Sequence, residues 1–203
     1  VSKADRSALD AYVARLSATP ISRFNRREQL AYWVNFYNAL TVKVILDHYP
    51  VVSIRDIDIS PGWFADGPWG AKLVTVEGEK VALDDIEHRI LRPIWKDPRI
   101  HYVVNCASGG CPDIPPLAMT ADNAEKLLND GAARYVNHPR GVTAMNGRIV
   151  VSSIYSWFAA DFGGTEASVL DHIRRFATPD LKTRLKGRDD YDGHAYDWTL
   201  NGK

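Results

Sequence analysis

The sequence predicts an α+β fold on three observations. An apolar face of Leu30, Trp33, Val34, Tyr37, Thr41, Val44 and Ile45 recurs at helical spacing between Arg27 and His48. Alternating runs flank Glu77-Gly78 within 72–83 and Asn146-Gly147 within 141–152, which reads as two β-hairpins. Helices and hairpins mixed in this order predict helices packed on an antiparallel sheet built from hairpins.

In chain order, Ser2 to Ala18 reads as an N-terminal helix, with Leu9, Tyr12, Val13 and Leu16 on one stripe and Pro20 beyond its end. Arg27 to His48 is the central helix and stops before Pro50. Ser60 to Gly70 is a Gly/Pro/Trp-rich loop. Asp84 to Leu91 reads as a short helix with acidic residues in its first turn, closed by Pro93. Ile100 to Cys106 reads as a buried strand ending in a Ser-Gly-Gly-Cys-Pro turn. Thr120 caps a helix reaching Asn137, and three further helical segments cover 153–162, 166–177 and 179–185 before an extended end at Tyr196 to Leu200.

Length and charge narrow the function classes. A chain of 203 residues is expected to form a single domain over 1–203, with helix 1–20 packed on it. Folding then buries roughly 70% of the unfolded surface, enough to need no staple or structural metal. The 25 basic and 25 acidic side chains balance, which removes the electrostatic case for nucleic acid or an anionic membrane as partner. Aliphatic runs fall short of the ~20 residues a membrane span needs. The sequence starts at Val1 without Met, which leaves room for a removed signal peptide.

Cys106 and Cys111 are the two cysteines, in Cys-Ala-Ser-Gly-Gly-Cys. They fit either a short disulfide loop, where the glycines permit a tight turn, or a reactive thiol with a bystander. Cys106 is the sharper candidate nucleophile. At a strand end before Ser108-Gly109-Gly110 it would be rigidly presented, with backbone N–H groups converging to hold an oxyanion. His101 is the first choice of base, although strict alternation puts positions 101 and 106 on opposite faces of a strand. Glu87 and His88 are the other acid–base candidates, one reaching a pocket while the other pairs with Arg89 or Arg92. Asn35 and Asn38 share one face of the central helix, where a buried amide must be hydrogen-bonded. They therefore either pin a neighbouring loop or orient substrate, as Arg92 and Asn105 would. Asn25 and Gln29 invite the same two readings. The four-residue gap between cysteines is not a zinc knuckle, and the Gly-Gly pairs match no phosphate-binding loop, so neither metal nor cofactor is expected. Trp63, Phe64 and Trp69 offer a third reading, an apolar contact for a protein partner.

Five blocks carry a family pattern: Asn25-Arg26-x-x-Gln29-x-x-Tyr32-Trp33-x-Asn35-x-Tyr37-Asn38-Ala39; Leu83-Asp84-Asp85-Ile86-Glu87-His88-x-Ile90-Leu91-Arg92-Pro93; Asp97 to His101 running into Asn105-Cys106-Ala107-Ser108-x-x-Cys111-Pro112; Ser152-Ser153-Ile154 with Trp157-Phe158-x-x-Asp161-Phe162; and Tyr196-Asp197-Trp198-x-Leu200-Asn201. Together they resemble the family of domains of unknown function numbered 547, found in bacteria and plants. The resemblance implies export of bacterial members to the periplasm or cell envelope. It also implies that Cys106 matters without Cys111, against the disulfide and zinc readings. A looser likeness to papain-like and transglutaminase-like folds implies a thiol-dependent hydrolase or transferase acting on an amide, thioester or peptide-like bond. The alternative is a module that binds a small thiol such as glutathione, or a peptide.

Overall fold

A computed structural model describes residues 1–62 and 66–201. Helix α1 (Lys3–Ser17) starts from a capping box in which Ser2 and Asp5 satisfy each other's free backbone N–H groups. The central helix α2 (Arg26–His48) starts the same way, with Asn25 and Glu28 as the pair. Gln29 donates to the Phe24 carbonyl at 2.8 Å. Asn25 and Gln29 thus fix the entry of α2.

The hairpins form where the turn pairs predict. Strands β1 (Val74–Val76) and β2 (Glu79–Val81) turn at Glu77 and Gly78, both with positive φ. β3 (Val142–Met145) and β4 (Arg148–Ser152) turn likewise at Asn146 and Gly147. They do not merge into one sheet. The first hairpin stands alone, and the second is extended by β5 (Gly193–Ala195), which pairs parallel to β4. With about 51% helix and 10% strand, the chain is a single α+β domain in which helices dominate.

Two segments differ from expectation. Residues 85–91 form a π-helical turn that runs straight into α3 (Arg92–Trp95), so Pro93 does not close the helix. The Arg92 N–H still bonds back to the Glu87 carbonyl, and Pro93 falls in the first turn of the new register, where its missing N–H costs nothing. The second segment is the expected strand 100–106. Pro98–Tyr102 is a 3₁₀ helix, capped by the Asp97 side chain on the Arg99 N–H at 2.9 Å. A short apolar run buried on all sides has no periodicity to separate strand from helix, and here Asp97-Pro98 starts a helical turn. Beyond it, residues 103–106 are irregular.

The remaining helices are α4 (Ala124–Val136), α5 (Ser153–Trp157), α6 (Glu166–Phe176) and α7 (Pro179–Arg184). One apolar cluster gathers α1, α2, the first hairpin and the start of α4. A second gathers the end of α4, β3, β4 and α5 to α7. The segment 98–112 crosses between them and carries the cysteines. No helix among the described residues is long and apolar enough to cross a membrane.

Candidate functional site

A cavity of about 410 Å³ opens where the π-turn, the 98–112 segment, α5 and the C-terminal stretch meet. Its wall includes Tyr37, Trp69, Asp84, Glu87, His88, His101, Cys106, Cys111, Trp157, Phe158, Tyr196 and Trp198.

His101 is the best-held polar group there. It is 3% exposed, although a wall residue of the cavity. Its Nε2 lies 2.7 Å from Asp161 Oδ2, and its Nδ1 lies 3.8 Å from Glu87 Oε1. The ring stacks on Phe158 with centroids 4.5 Å apart. Asp161 also accepts from Arg92 Nε at 2.6 Å and Nη2 at 3.2 Å. Burial pushes the Asp161 carboxyl up, but the hydrogen bonds and charges of His101 and Arg92 outweigh it and hold the acid well below the usual carboxylate range. An ionised acceptor fixed against Nε2 sets the tautomer and plane of the imidazole, leaving Nδ1 for other work.

Glu87 is buried on the same π-turn. Tyr37 donates to it, and burial together with the Glu87 charge pushes the Tyr37 phenol well up. His88 turns away to Arg92, whose Nη1 donates to its Nδ1 at 3.0 Å. The two neighbours therefore divide, Glu87 facing His101 and His88 facing Arg92.

Cys106 and Cys111 are joined by a disulfide, with Cα atoms 6.1 Å apart. Of the two readings left open for the pair it is the short disulfide loop that forms, against what the resemblance implied. The chain turns sharply at Ala107, which has φ of 61°, and the Asn105 side chain accepts its N–H at 2.7 Å. Gly109 and Gly110 complete the turn, and that tight loop lets the cysteines meet. Cys106 is partly exposed to the cavity, whereas Cys111 is 2% exposed. The Tyr196 hydroxyl lies 3.0 Å from Cys106 Sγ and 3.1 Å from Cys111 Sγ, and the Cys106 N–H points at Cys111 Sγ at 2.9 Å. Ser108 is fully buried, with its Oγ 3.2 Å from Cys106 Sγ and 2.8 Å from the Tyr196 hydroxyl.

Other expected site residues serve the backbone. Gly109 N–H donates to the Thr199 carbonyl at 2.7 Å and Gly110 N–H to the Asp197 carbonyl at 2.8 Å, so neither is left to hold an oxyanion. Asn35 exchanges two bonds with the Met119 backbone. Asn38 donates to the Val103 carbonyl at 2.8 Å and accepts from the Asn105 N–H at 2.9 Å, as a neighbouring strand would. Asn105 donates to the Pro112 carbonyl at 2.6 Å. None of these three amides borders the cavity. Trp63 and Phe64 lie outside the described residues.

Asp161, Tyr196 and Tyr37 were not singled out from the sequence, though each stands in a quoted block. Their proximity to His101, Cys106 and Glu87 is created by chain folding over long separations.

Residues 21–136 match the family described as Protein of unknown function, DUF547. The chain belongs to this family. The DUF547 match takes in Glu87, His88, His101 and both cysteines, while Asp161, Tyr196 and the tryptophans Trp157 and Trp198 fall outside the matched stretch. No curated protein and no solved structure matches the chain.

Proposed function

We propose that this DUF547 domain is a thiol-dependent hydrolase or transferase, with reduced Cys106 as nucleophile and His101 as its acid–base partner. The observation that carries the reading is the 2.7 Å contact between Asp161 and His101 on the cavity that Cys106 also borders. An oriented imidazole and a partly exposed sulfur on one cavity are the components of an activated nucleophile. Because Cys106 is disulfide-bonded, a dithiol must first reduce it, leaving as its own disulfide and giving thiols on both cysteines. His101 Nδ1 then takes the Cys106 proton, and the sulfur bonds to the carbonyl carbon of an amide or thioester. The bond to the leaving group breaks as His101 returns the proton to it. Water or a second acceptor releases the acyl group from Cys106. Glu87, facing Nδ1, stabilises the imidazolium formed in between.

The pH profile of alkylation at Cys106 tests this in a Cys111→Ser protein. A thiol that His101 serves is expected to react with an apparent pKa well below the ordinary ~8.5. His101→Gln and Asp161→Asn are expected to raise it. An ordinary profile shared by all three proteins would sink the nucleophile.

The disulfide itself favours a second reading, exchange with a small thiol. An incoming thiolate reaches the exposed Cys106 Sγ, a new S–S bond forms there, and Cys111 leaves as thiolate. The Cys106 N–H already points at the leaving sulfur, and the Tyr196 hydroxyl lies 3.1 Å from it. Mass analysis after incubation with glutathione should place the adduct on Cys106. An adduct on Cys111 would reverse the assignment.

A further inference from the structure

We propose that the cavity binds a ligand through an alkylammonium group, held by the aromatic wall and by Asp84 and Glu87. This names the ligand class of the site described above and rests on that reading's choice of cavity. It does not require Cys106 to react.

The charges point one way. Among the described residues no lysine or arginine lines the cavity, whereas Asp66, Asp84 and Glu87 do. Asp66 is matched by Arg55, whose Nε donates to it at 2.6 Å. Arg92, beside the cavity, is matched by Asp161. Among the described residues Asp84 has no such hydrogen-bonded cation, and Lys72, whose charge also reaches it, is paired with Asp85. His88 Nε2 lies 3.6 Å from Asp84. The other ring nitrogen of His88, Nδ1, is taken up by the Arg92 guanidinium at 3.0 Å. Glu87 faces the phenol of Tyr37 and the His101 ring. Burial raises the Asp84 carboxyl, and the neighbouring acids Glu87 and Asp85 add to it against the opposing charges of His88 and Lys72. Two carboxylates on a half-enclosed wall repel an anion, and a neutral ligand would strip them of water with nothing in return.

The remaining wall suits a cation equally well. Trp157 is 47% exposed, an unusual state for an indole, and stacks on Trp198 with centroids 5.6 Å apart. Tyr196 packs against both rings, at 4.8 Å from Trp157 and 4.7 Å from Trp198. The protein already places its own cations on this surface, Arg55 over Trp198 at 5.3 Å and Arg92 over Phe158 at 4.5 Å. Aromatic faces with nearby carboxylates attract alkylammonium groups through the ring quadrupole and through direct charge. The volume of about 410 Å³ accommodates a side chain of lysine size. In the hydrolase reading, such a group would anchor a substrate whose scissile bond lies toward Cys106.

The test uses the oxidised protein, in which Cys106 cannot react, and reads tryptophan fluorescence and calorimetry. The probes are N-acetyl-lysine methylamide, the isosteric N-acetyl-norleucine methylamide and N-acetyl-glutamate methylamide. The lysine probe is expected to bind saturably, at least tenfold more tightly than either of the others, and more weakly at high salt. Trp157→Ala and Asp84→Asn, each checked for an unchanged unfolding midpoint, are expected to weaken it roughly three- to tenfold. Equal binding of the norleucine probe, tighter binding of the glutamate probe, no saturable lysine signal, or lysine affinity untouched by both substitutions would each overturn the proposal. The Cys106 alkylation profile is read separately, so loss of ammonium binding with a His101-dependent thiol rejects this inference alone. The converse result rejects only the nucleophile.

Discussion

His172 provides a stability measurement that the structure specifies in sign and size. It is 5% exposed on α6, packed among Tyr102, Phe162 and Phe176, and its Nε2 lies 3.0 Å from the Tyr102 hydroxyl. Burial, with the charge of Arg175 adding to it, pushes the imidazole down from 6.5 to about 4. The folded protein thus keeps this ring neutral while the unfolded chain protonates it. The contribution to stability is fully present above about pH 6.5 and drains away as the pH falls toward 4, because only the unfolded state takes up the proton. A shift from 6.5 to about 4 corresponds to about 3 kcal/mol, nearly all of it lost by pH 4. Carboxylates titrate in the same window, so the measurement must be a difference. Urea unfolding of wild type and His172→Phe at several values from pH 7 to pH 4 isolates the term. The gap between the two proteins is expected to move by about 2 to 3 kcal/mol in favour of the variant as the pH falls. Parallel curves would show that the ring titrates normally, and the account of its burial would be wrong.

Three more outcomes follow from contacts near the cysteines. Asn38→Ala removes both bonds that hold Val103 and Asn105 and leaves two buried backbone groups unpaired, so a loss of about 2 to 4 kcal/mol is expected in chemical denaturation. A Cβ at Gly110 would lie 2.8 Å from the Tyr196 ring, so Gly110→Ala should cost about 1 to 3 kcal/mol and alter the near-ultraviolet dichroism of the aromatic wall. A stability within 0.5 kcal/mol of wild type, by the ordinary scatter of surface substitutions, would refute either expectation. Tyr196→Phe keeps the ring but deletes the hydroxyl between the two sulfurs. Reduction by dithiothreitol, followed by thiol titration, should then slow roughly tenfold, the value of one hydrogen bond to a developing thiolate. An unchanged rate would mean that Tyr196 gives the leaving sulfur nothing.

Local chemistry was legible in the sequence, and remote chemistry was not. The hairpin turns at Glu77-Gly78 and Asn146-Gly147 and the stop of α2 before Pro50 are short-range matters, settled within a few residues. The expected strand at 100–106 failed because its apolar run is buried on every side, which erases the alternation that marks a strand. Its backbone is satisfied by the Asn38 amide, sixty-five or more positions earlier, instead of by a neighbouring strand. The same geometry disposes of the face problem between His101 and Cys106. Alternation governs only a strand, and a 3₁₀ turn followed by an irregular stretch can present both side chains to one cavity.

Asp161 shows why the arrangement around the cavity could not be read in full. It lies 60 positions from His101, and a lone Asp between Ala160 and Phe162 reads as a surface residue of a short helix. What makes it an orienting group is the meeting of two elements, the 3₁₀ turn at 98–102 and the turn at Ala159–Phe162, beside the Arg92 guanidinium. Arg92 in turn owes its position to the π-turn, whose extra residue shifts the register so that Glu87 faces His101 while His88 and Arg92 face each other. A regular helix over 85–95 would rotate that set apart. Insertions of this kind are frequent at functional sites because they disturb the helical ladder for a local gain. The distortion at 85–91, the left-handed Ala107 beside Cys106 and the solvent-facing Trp157 all converge on one cavity. Stability alone would favour a regular helix, a relaxed turn and a buried indole, so their meeting at this place argues that the cavity is what the fold maintains.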